Sequence, residues 1–211
     1  EASAARELAD KLAGAVVRQY AGDGRWLISM PDHDEAIGHC LDFQHVAGEM
    51  AEDLSPTIKA EMIEFVTTKL LDGDWMVALD PDDPIAPFSD RPDHGASGAF
   101  AAWPDDTADG LIRLGERAKA IEFLGGLHRS TSGALFGQAM EARGDGTYFV
   151  SERGCHCIDV ATGASIADAI IRGVFGIRAG FSALREPQGE LTVDGARLHN
   201  VRAIGFDLAA S

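Results

Sequence analysis

Near the start of the chain, apolar residues recur every fourth position at Leu8, Leu12 and Val16, with alanines between them. That spacing predicts a helix over residues 3–20, capped by Ser3. After the turn Gly22-Asp23-Gly24, Arg25 to Met30 reads as a short extended segment, and residues 38–52 as a second helix. A clear start signal follows: Ser55 can cap, Pro56 fits the first helical position, and Ile58, Met62, Phe65 and Val66 line one face through about Leu71. Residues 72–97 lose this periodicity and carry Pro81, Pro84, Pro87 and Pro92 among seven aspartates, which predicts a long loop. Helical character returns from about Gly98 to Leu114, with Pro104 as a residue that can break or delay it and Gly115 as its C-cap, and a further helix over 116–129 carries Ile121, Leu124 and Leu127. The Gly-rich stretch from Ser130 to Gly163 predicts no regular element. Ser165-Ile166-Ala167-Asp168 then resembles a capping box, with Ile166, Ile170 and Val174 as the stripe and Gly176 as the stop. Finally, Glu190 to Val193 and Arg197 to Val201 flank Asp194-Gly195, a two-residue hairpin signal.

Small-residue helices thus begin near 38, 98 and 164, and the first two are each followed directly by an amphipathic one. The expected class is mainly α: helical hairpins wound as an (α/α) toroid over residues 1–178, a partial six-hairpin barrel, with residues 179–211 a small C-terminal β-hairpin packed on the same domain. In such an arrangement the functional residues sit on the long loops at one end.

Composition narrows the partners. Hydrophobic residues make up 45% and charged residues 25%, as in a folded chain with a core. The net charge is −16, from 34 acids against 18 bases, and no cluster of Lys and Arg offers a surface for phosphate backbones or anionic lipid. Nucleic-acid and membrane partners are therefore not expected, whereas a neutral or cationic ligand fits. No apolar run approaches the roughly 20 residues of a membrane helix. Three cysteines, Cys40, Cys155 and Cys157, form no disulfide framework, which favours a reducing, cytoplasmic setting. His39, Asp42 and His45 are spaced by three and diverge around a helix, and Cys155-His156-Cys157 has no second cluster to complete four ligands. The aspartates of the 72–93 loop lack the spacing of a calcium loop and read as a solvated acidic segment. No metal and no cofactor is expected, and no phosphate-binding glycine fingerprint or Gly-x-Ser-x-Gly elbow occurs.

Residues 88–104, Phe-Ser-Asp-Arg-Pro-Asp-His-Gly-Ala-Ser-Gly-Ala-Phe-Ala-Ala-Trp-Pro, resemble the (α/α)6-barrel glycoside hydrolases of the processing α-glucosidase and trehalase clan. In that clan an aromatic, Arg- and Gly-containing loop ends in Trp-Pro and opens an inner helix lining the sugar site. The downstream order is similar, with Leu114-Gly115 between paired helices and Val174-Phe175-Gly176-Ile177 ending an inner helix. The resemblance spans about residues 20–178 and corresponds to the clan's C-terminal part. It departs where the clan carries a catalytic Glu just after a Phe: this chain reads Phe136-Gly137-Gln138-Ala139-Met140-Glu141. The clan's general acid, an Asp on an upstream hairpin, has no counterpart here. A fragment or half-barrel is accordingly expected, completed by a second copy or by another chain.

The resemblance implies a domain binding a neutral glycan, with inverting hydrolysis if it is active. Inversion needs one protonated carboxyl for the leaving oxygen and one ionised carboxylate to activate water, about 6.5–9.5 Å apart. Glu141 is the expected base, and Asp93, flanked by Arg91 and His94, the best acid within these residues. Arg91, His94, Trp103, Gln138 and Asp42 are the expected sugar contacts, Trp103 by stacking on a pyranose ring. Each has a plainer reading: Glu141 as a solvated loop acid, Trp103 as core, Asp42 as an acid stabilising its own helix dipole. Two other functions stay open. One is a non-catalytic carbohydrate-binding or interaction module, favoured by Gln138 and Met140 where the clan has its base. The other is a polysaccharide lyase, disfavoured by two tyrosines and the −16 charge.

Overall fold

The computed structural model describes residues 2–27, 35–72, 74–89, 91–92, 94–100, 103–131, 139–142, 148–153, 160–175, 178–179, 184–185, 202–203 and 206–207. The described chain is mainly helical, with several short antiparallel sheets. Helix α1 is Ala2–Val17, α2 Cys40–Met50, α3 Pro56–Phe65, α4 Trp103–Arg113, α5 Arg117–Thr131 and α6 Val160–Asp168. Both α3 and α6 run on into a π-helical turn, Val66–Leu70 and Ala169–Val174. In the first of these turns, the hydroxyls of Thr67 and Thr68 donate to the carbonyls of Ile63 and Glu64, each at 2.7 Å, and so compete with the regular ladder.

Local chemistry explains several boundaries. The Ser55 hydroxyl accepts from the Ile58 amide and Pro56 takes the first turn, as the sequence predicts. At the end of α4, Gly115 adopts φ 99°, so that its amide reaches Ile112 and the Glu116 amide reaches Leu111. This left-handed cap turns the chain back into α5 within three residues.

Three of the helices share one direction. Gln44 donates to Thr107 across 3.0 Å, and a side-chain carbon at Gly110 would meet the Phe43 ring at 2.8 Å and Ala47 at 3.1 Å. Residue numbers rise together along the α2–α4 contact, so these helices are parallel. The same holds for α4 and α6: Asp105 and Asp106 sense the charges of Asp168 and Arg172, Ile112 lies against Gly173, and Arg117 donates to the carbonyls of Gly173 and Val174. Thus α2 and α4 lie side by side with their N-terminal ends together, the end of α6 and its π-helical extension run parallel along α4, and α3 and α5 carry the chain back. Phe43, Met62, Leu70, Trp75, Leu111 and Leu127 fill the space between them, each no more than 1% exposed.

Several expectations are corrected. Helix α1 stops at Val17 because Tyr20–Gly22 (β1) and Arg25–Leu27 (β2) form a hairpin, which Ala36–Ile37 (β3) extends. Ser3 lies inside α1, so it is not its cap, and Leu8 and Leu12 are more than half exposed. The segment 72–97 is not one loop. Its apolar run from Trp75 to Leu79 is buried, with Leu71–Asp72 (β4) paired to Trp75–Met76 (β5). Gly98–Phe100 is a strand (β6) rather than the start of a helix, and α4 begins only at Trp103. Within the Gly-rich stretch, Ala139–Ala142 (β7) and Tyr148–Val150 (β8) join β6 in a three-stranded sheet. Helix α6 is already under way at Val160, so Ser165 sits in its interior. The expected hairpin around Asp194-Gly195 lies outside the described residues. The described pairs beyond residue 177 are Arg178–Ala179 (β9) with Leu184–Arg185 (β10), and Arg202–Ala203 (β11) with Phe206–Asp207 (β12).

Candidate functional site

Four segments line up beside the start of α2. The Cys40 amide donates to the Ala78 carbonyl at 2.8 Å, and the Ala78 amide to the Gly98 carbonyl at 2.9 Å. Gly98 in turn faces Glu141 in the β6–β7 ladder, and Glu141 faces Phe149 in β8. Because β6 leads directly into α4, this row also abuts the N-terminal end of that helix. The loop containing Arg91 and His94 and the strand carrying Glu141 therefore meet at one end of the parallel helices. Gly98 is required there: a Cβ would sit 2.0 Å from the Met140 carbonyl oxygen.

Alternation along β7 turns Met140 inward, 1% exposed, and puts Glu141 on the other face. Two groups grip its carboxylate. Arg153 pairs with it through the guanidinium, and the Ser151 hydroxyl donates to Oε2 at 2.8 Å. The guanidinium also reaches the Ser97 hydroxyl at 3.4 Å, bridging back to the loop before β6. Hydrogen bonding to Arg153 is the main cause that holds Glu141 below the usual carboxylate range. Glu141 is thus an ionised, acceptor-only group near neutral pH.

Carboxyls with the opposite tendency occupy the first turns of α2 and α4. Burial pushes Asp42 up to about 6 and Asp105 up to about 7, and it also raises Asp106. For Asp105 the negative charge of Asp106 adds to the effect, whereas the Asp106 amide, donating to Asp105 Oδ1 at 2.7 Å, works against it. Asp105 is 8% exposed and can carry a proton near neutrality. A helix N-terminus ordinarily favours the anion, so desolvation outweighs the dipole here.

His39 supplies the cap of α2, its Nδ1 accepting from the Leu41 amide at 3.1 Å. Its ring stacks on that of His94 with centroids 6.3 Å apart, and a further hydrogen bond joins it to the His94 backbone. Burial lowers His39 to about 4, so the ring is neutral. The preceding residue, Gly38, is pinned on both sides: its amide donates to Asp83 Oδ2 and its carbonyl accepts from the Asp80 amide, each at 2.8 Å. Arg25 holds Asp80. These two aspartates are buried and structural, a correction to the solvated acidic loop expected from sequence.

The expected site residues distribute as follows. Glu141, Arg91 and His94 belong to the segments that converge, and Arg91 and His94 are exposed. Asp42 stands half-buried in the first turn of α2, and Trp103 opens α4. Asp93 and Gln138 lie outside the described residues. Sequence reasoning missed Asp105, Arg153 and His39 in these roles. The adjacent acids after Trp103-Pro104 were the available signal for Asp105, and the placement of the helix start at Gly98 hid it. Among the described residues, no three His, Cys, Asp or Glu side chains are grouped to hold a metal ion, and no helix is long and apolar enough to cross a membrane. No family model matches the chain, and no curated protein matches it.

Proposed function

We propose that this chain is a glycoside-hydrolase-like domain, part of an (α/α) toroid, that binds a neutral glycan at the N-terminal ends of its parallel helices. One observation carries the reading: the hydrogen-bonded row through Cys40, Ala78, Gly98 and Glu141, which gathers the Arg91–His94 loop and Glu141 where α2 and α4 begin. Parallel α2, α4 and α6 with α3 and α5 returning between them are compatible with part of such a toroid. At that end the surroundings push carboxyl proton affinities in opposite directions, as acid–base catalysis needs. Glu141 is poised as the base that activates water. Asp105 is a protonated carboxyl from the same end and joins Asp93 as a candidate acid. His94 and Arg91 offer polar contacts to sugar hydroxyls.

The test is turnover of α- and β-linked neutral di- and trisaccharides by the full chain, with the anomer of the released sugar read by proton NMR. Inverted product is expected, and Glu141→Gln should lower kcat by ~10²–10⁴-fold, the usual contribution of a positioned general base. Full turnover in Glu141→Gln removes Glu141 from the mechanism.

A second reading, a non-catalytic glycan-binding module, draws on the Arg153 and Ser151 contacts that already satisfy the Glu141 carboxylate and lower its basicity. It predicts saccharide binding by calorimetry with no turnover, and binding unchanged in Glu141→Gln.

A further inference from the structure

We propose that His39 is a positioning residue: its neutral imidazole ties the loop that carries Arg91 and His94 to the start of α2, and so fixes that loop against the strand bearing Glu141. The inference rests on the proposed function for its biological meaning, but its physical content stands on the contacts around one ring. An N-cap is ordinarily Ser, Thr, Asp or Asn, whose oxygen accepts from the first turn. Histidine can do the same only through an unprotonated nitrogen, and here Nδ1 accepts from the Leu41 amide at 3.1 Å. With Nδ1 accepting, the proton of the neutral ring is on Nε2, and a hydrogen bond links the ring to the His94 backbone. The ring face adds the stacking contact with His94 at 6.3 Å.

One side chain thereby uses its acceptor on α2, and its face and a backbone hydrogen bond on the loop. Neighbouring backbone bonds make the junction stiff. His39 bridges Leu79, Gly38 is clamped by Asp80 and Asp83, and Ala78 links Cys40 to Gly98. A cap of Asn would keep the first-turn acceptor yet be too short to reach the loop. Loss of the ring should therefore loosen residues 94–98 while leaving α2 intact, an effect that simple capping does not produce.

The experiment is amide hydrogen exchange on the full chain, comparing wild type with His39→Asn and His39→Ala, together with the nitrogen-15 spectrum of the His39 ring in the wild type at pH 6. In His39→Asn, exchange at Gly95 to Gly98 and at Ala78 should be about tenfold faster with Leu41 unchanged. In His39→Ala, Leu41 should accelerate as well. The ring spectrum should show a neutral Nε2–H tautomer. Unchanged exchange at 95–98 in His39→Asn overturns the proposal, as does a charged ring or an Nδ1–H tautomer, a readout that needs no variant to fold. Altered exchange without saccharide binding by the wild type would leave the coupling standing and remove only the glycan reading.

Discussion

The contact between α2 and α4 can be probed by two substitutions of identical chemistry. Gly48 in α2 has open space where a Cβ would go, whereas at Gly110 in α4 the same atom would lie 2.8 Å from the Phe43 ring and 3.1 Å from the Ala47 Cβ. Each glycine stands two or three residues before the end of an eleven-residue helix, so both variants gain a similar amount from helix propensity. That gain is about 1 kcal/mol for Gly→Ala in a helix interior and somewhat less near an end. At Gly110 it is opposed by overpacking. Phe43 is 1% and Ala47 0% exposed, so neither can swing into solvent, and the helices must separate or the ring must leave its rotamer. Such strain costs ~1–3 kcal/mol. Subtracting the two variants cancels the propensity contribution and isolates the packing one. Gly110→Ala should therefore be less stable than Gly48→Ala by ~1–3 kcal/mol, with wild type in between or level with the lower variant. In a chain of this length, 1 kcal/mol moves Tm by about 2–4 °C, so the split is readily measured. Urea unfolding followed by circular dichroism, fitted with a common slope, gives the comparison directly. If Gly110→Ala proves as stable as Gly48→Ala, the close parallel approach of α2 and α4 is refuted, and with it the geometry that puts their first turns at one end.

Other expectations concern charge and caps. Asp105 has a folded-state pKa raised to about 7 by burial, above an unfolded value near 3.9, so the folded state binds the extra proton between those limits. Its contribution to stability is favourable below about 4 and is lost as pH rises to about 7, so Asp105→Asn should gain on wild type across that window; a difference that stays flat from pH 4 to 7 in denaturant titrations rejects the buried proton. Removing the guanidinium with Arg153→Met should let the Glu141 carboxyl rise toward its ordinary range, seen in carbon-13 carboxyl titration, and an unmoved Glu141 would show that the ion pair does not govern it. Ser55→Ala deletes the acceptor for the Ile58 amide and should cost about 1 kcal/mol in denaturant unfolding, the usual loss for an N-cap; no loss would mean that Pro56 alone sets the start of α3.

What could be read in advance follows from the range of the interactions. The start of α3 at Ser55-Pro56 and the turn at Gly115 rest on contacts within six residues, and the chain spells them out. The sheet β6–β7–β8 does not work that way. Its strands are three or four residues long, and Gly98 finds Glu141 across more than forty intervening positions, so no local period marks it. The run Ala99 to Ala102, three alanines and Phe100, is compatible with either a helix or a strand, and pairing with β7 decides for the strand at 98–100. The stripe of Leu8 and Leu12 correctly marks a helix, but periodicity states which face seeks cover, not whether cover is supplied.

The acidic residues show the same division more sharply, because in a chain with 34 of them type and spacing carry little information and surroundings carry most of it. Asp80 and Asp83 sit in a proline-rich stretch that reads as solvent-exposed, yet Arg25 and the amide of Gly38 draw them inside. Asp105 and Glu141 are both carboxyls near an element end. One is stripped of water and crowded by Asp106, and its proton is held to near neutrality; the other is gripped by an arginine twelve residues ahead and sheds its proton early. Neither property belongs to the residue until the helices and the sheet are in place. The opposed proton affinities of these two carboxyls are therefore a product of the tertiary fold, and a substitution that moves α4 relative to β7 should erase the contrast even with every carboxyl retained.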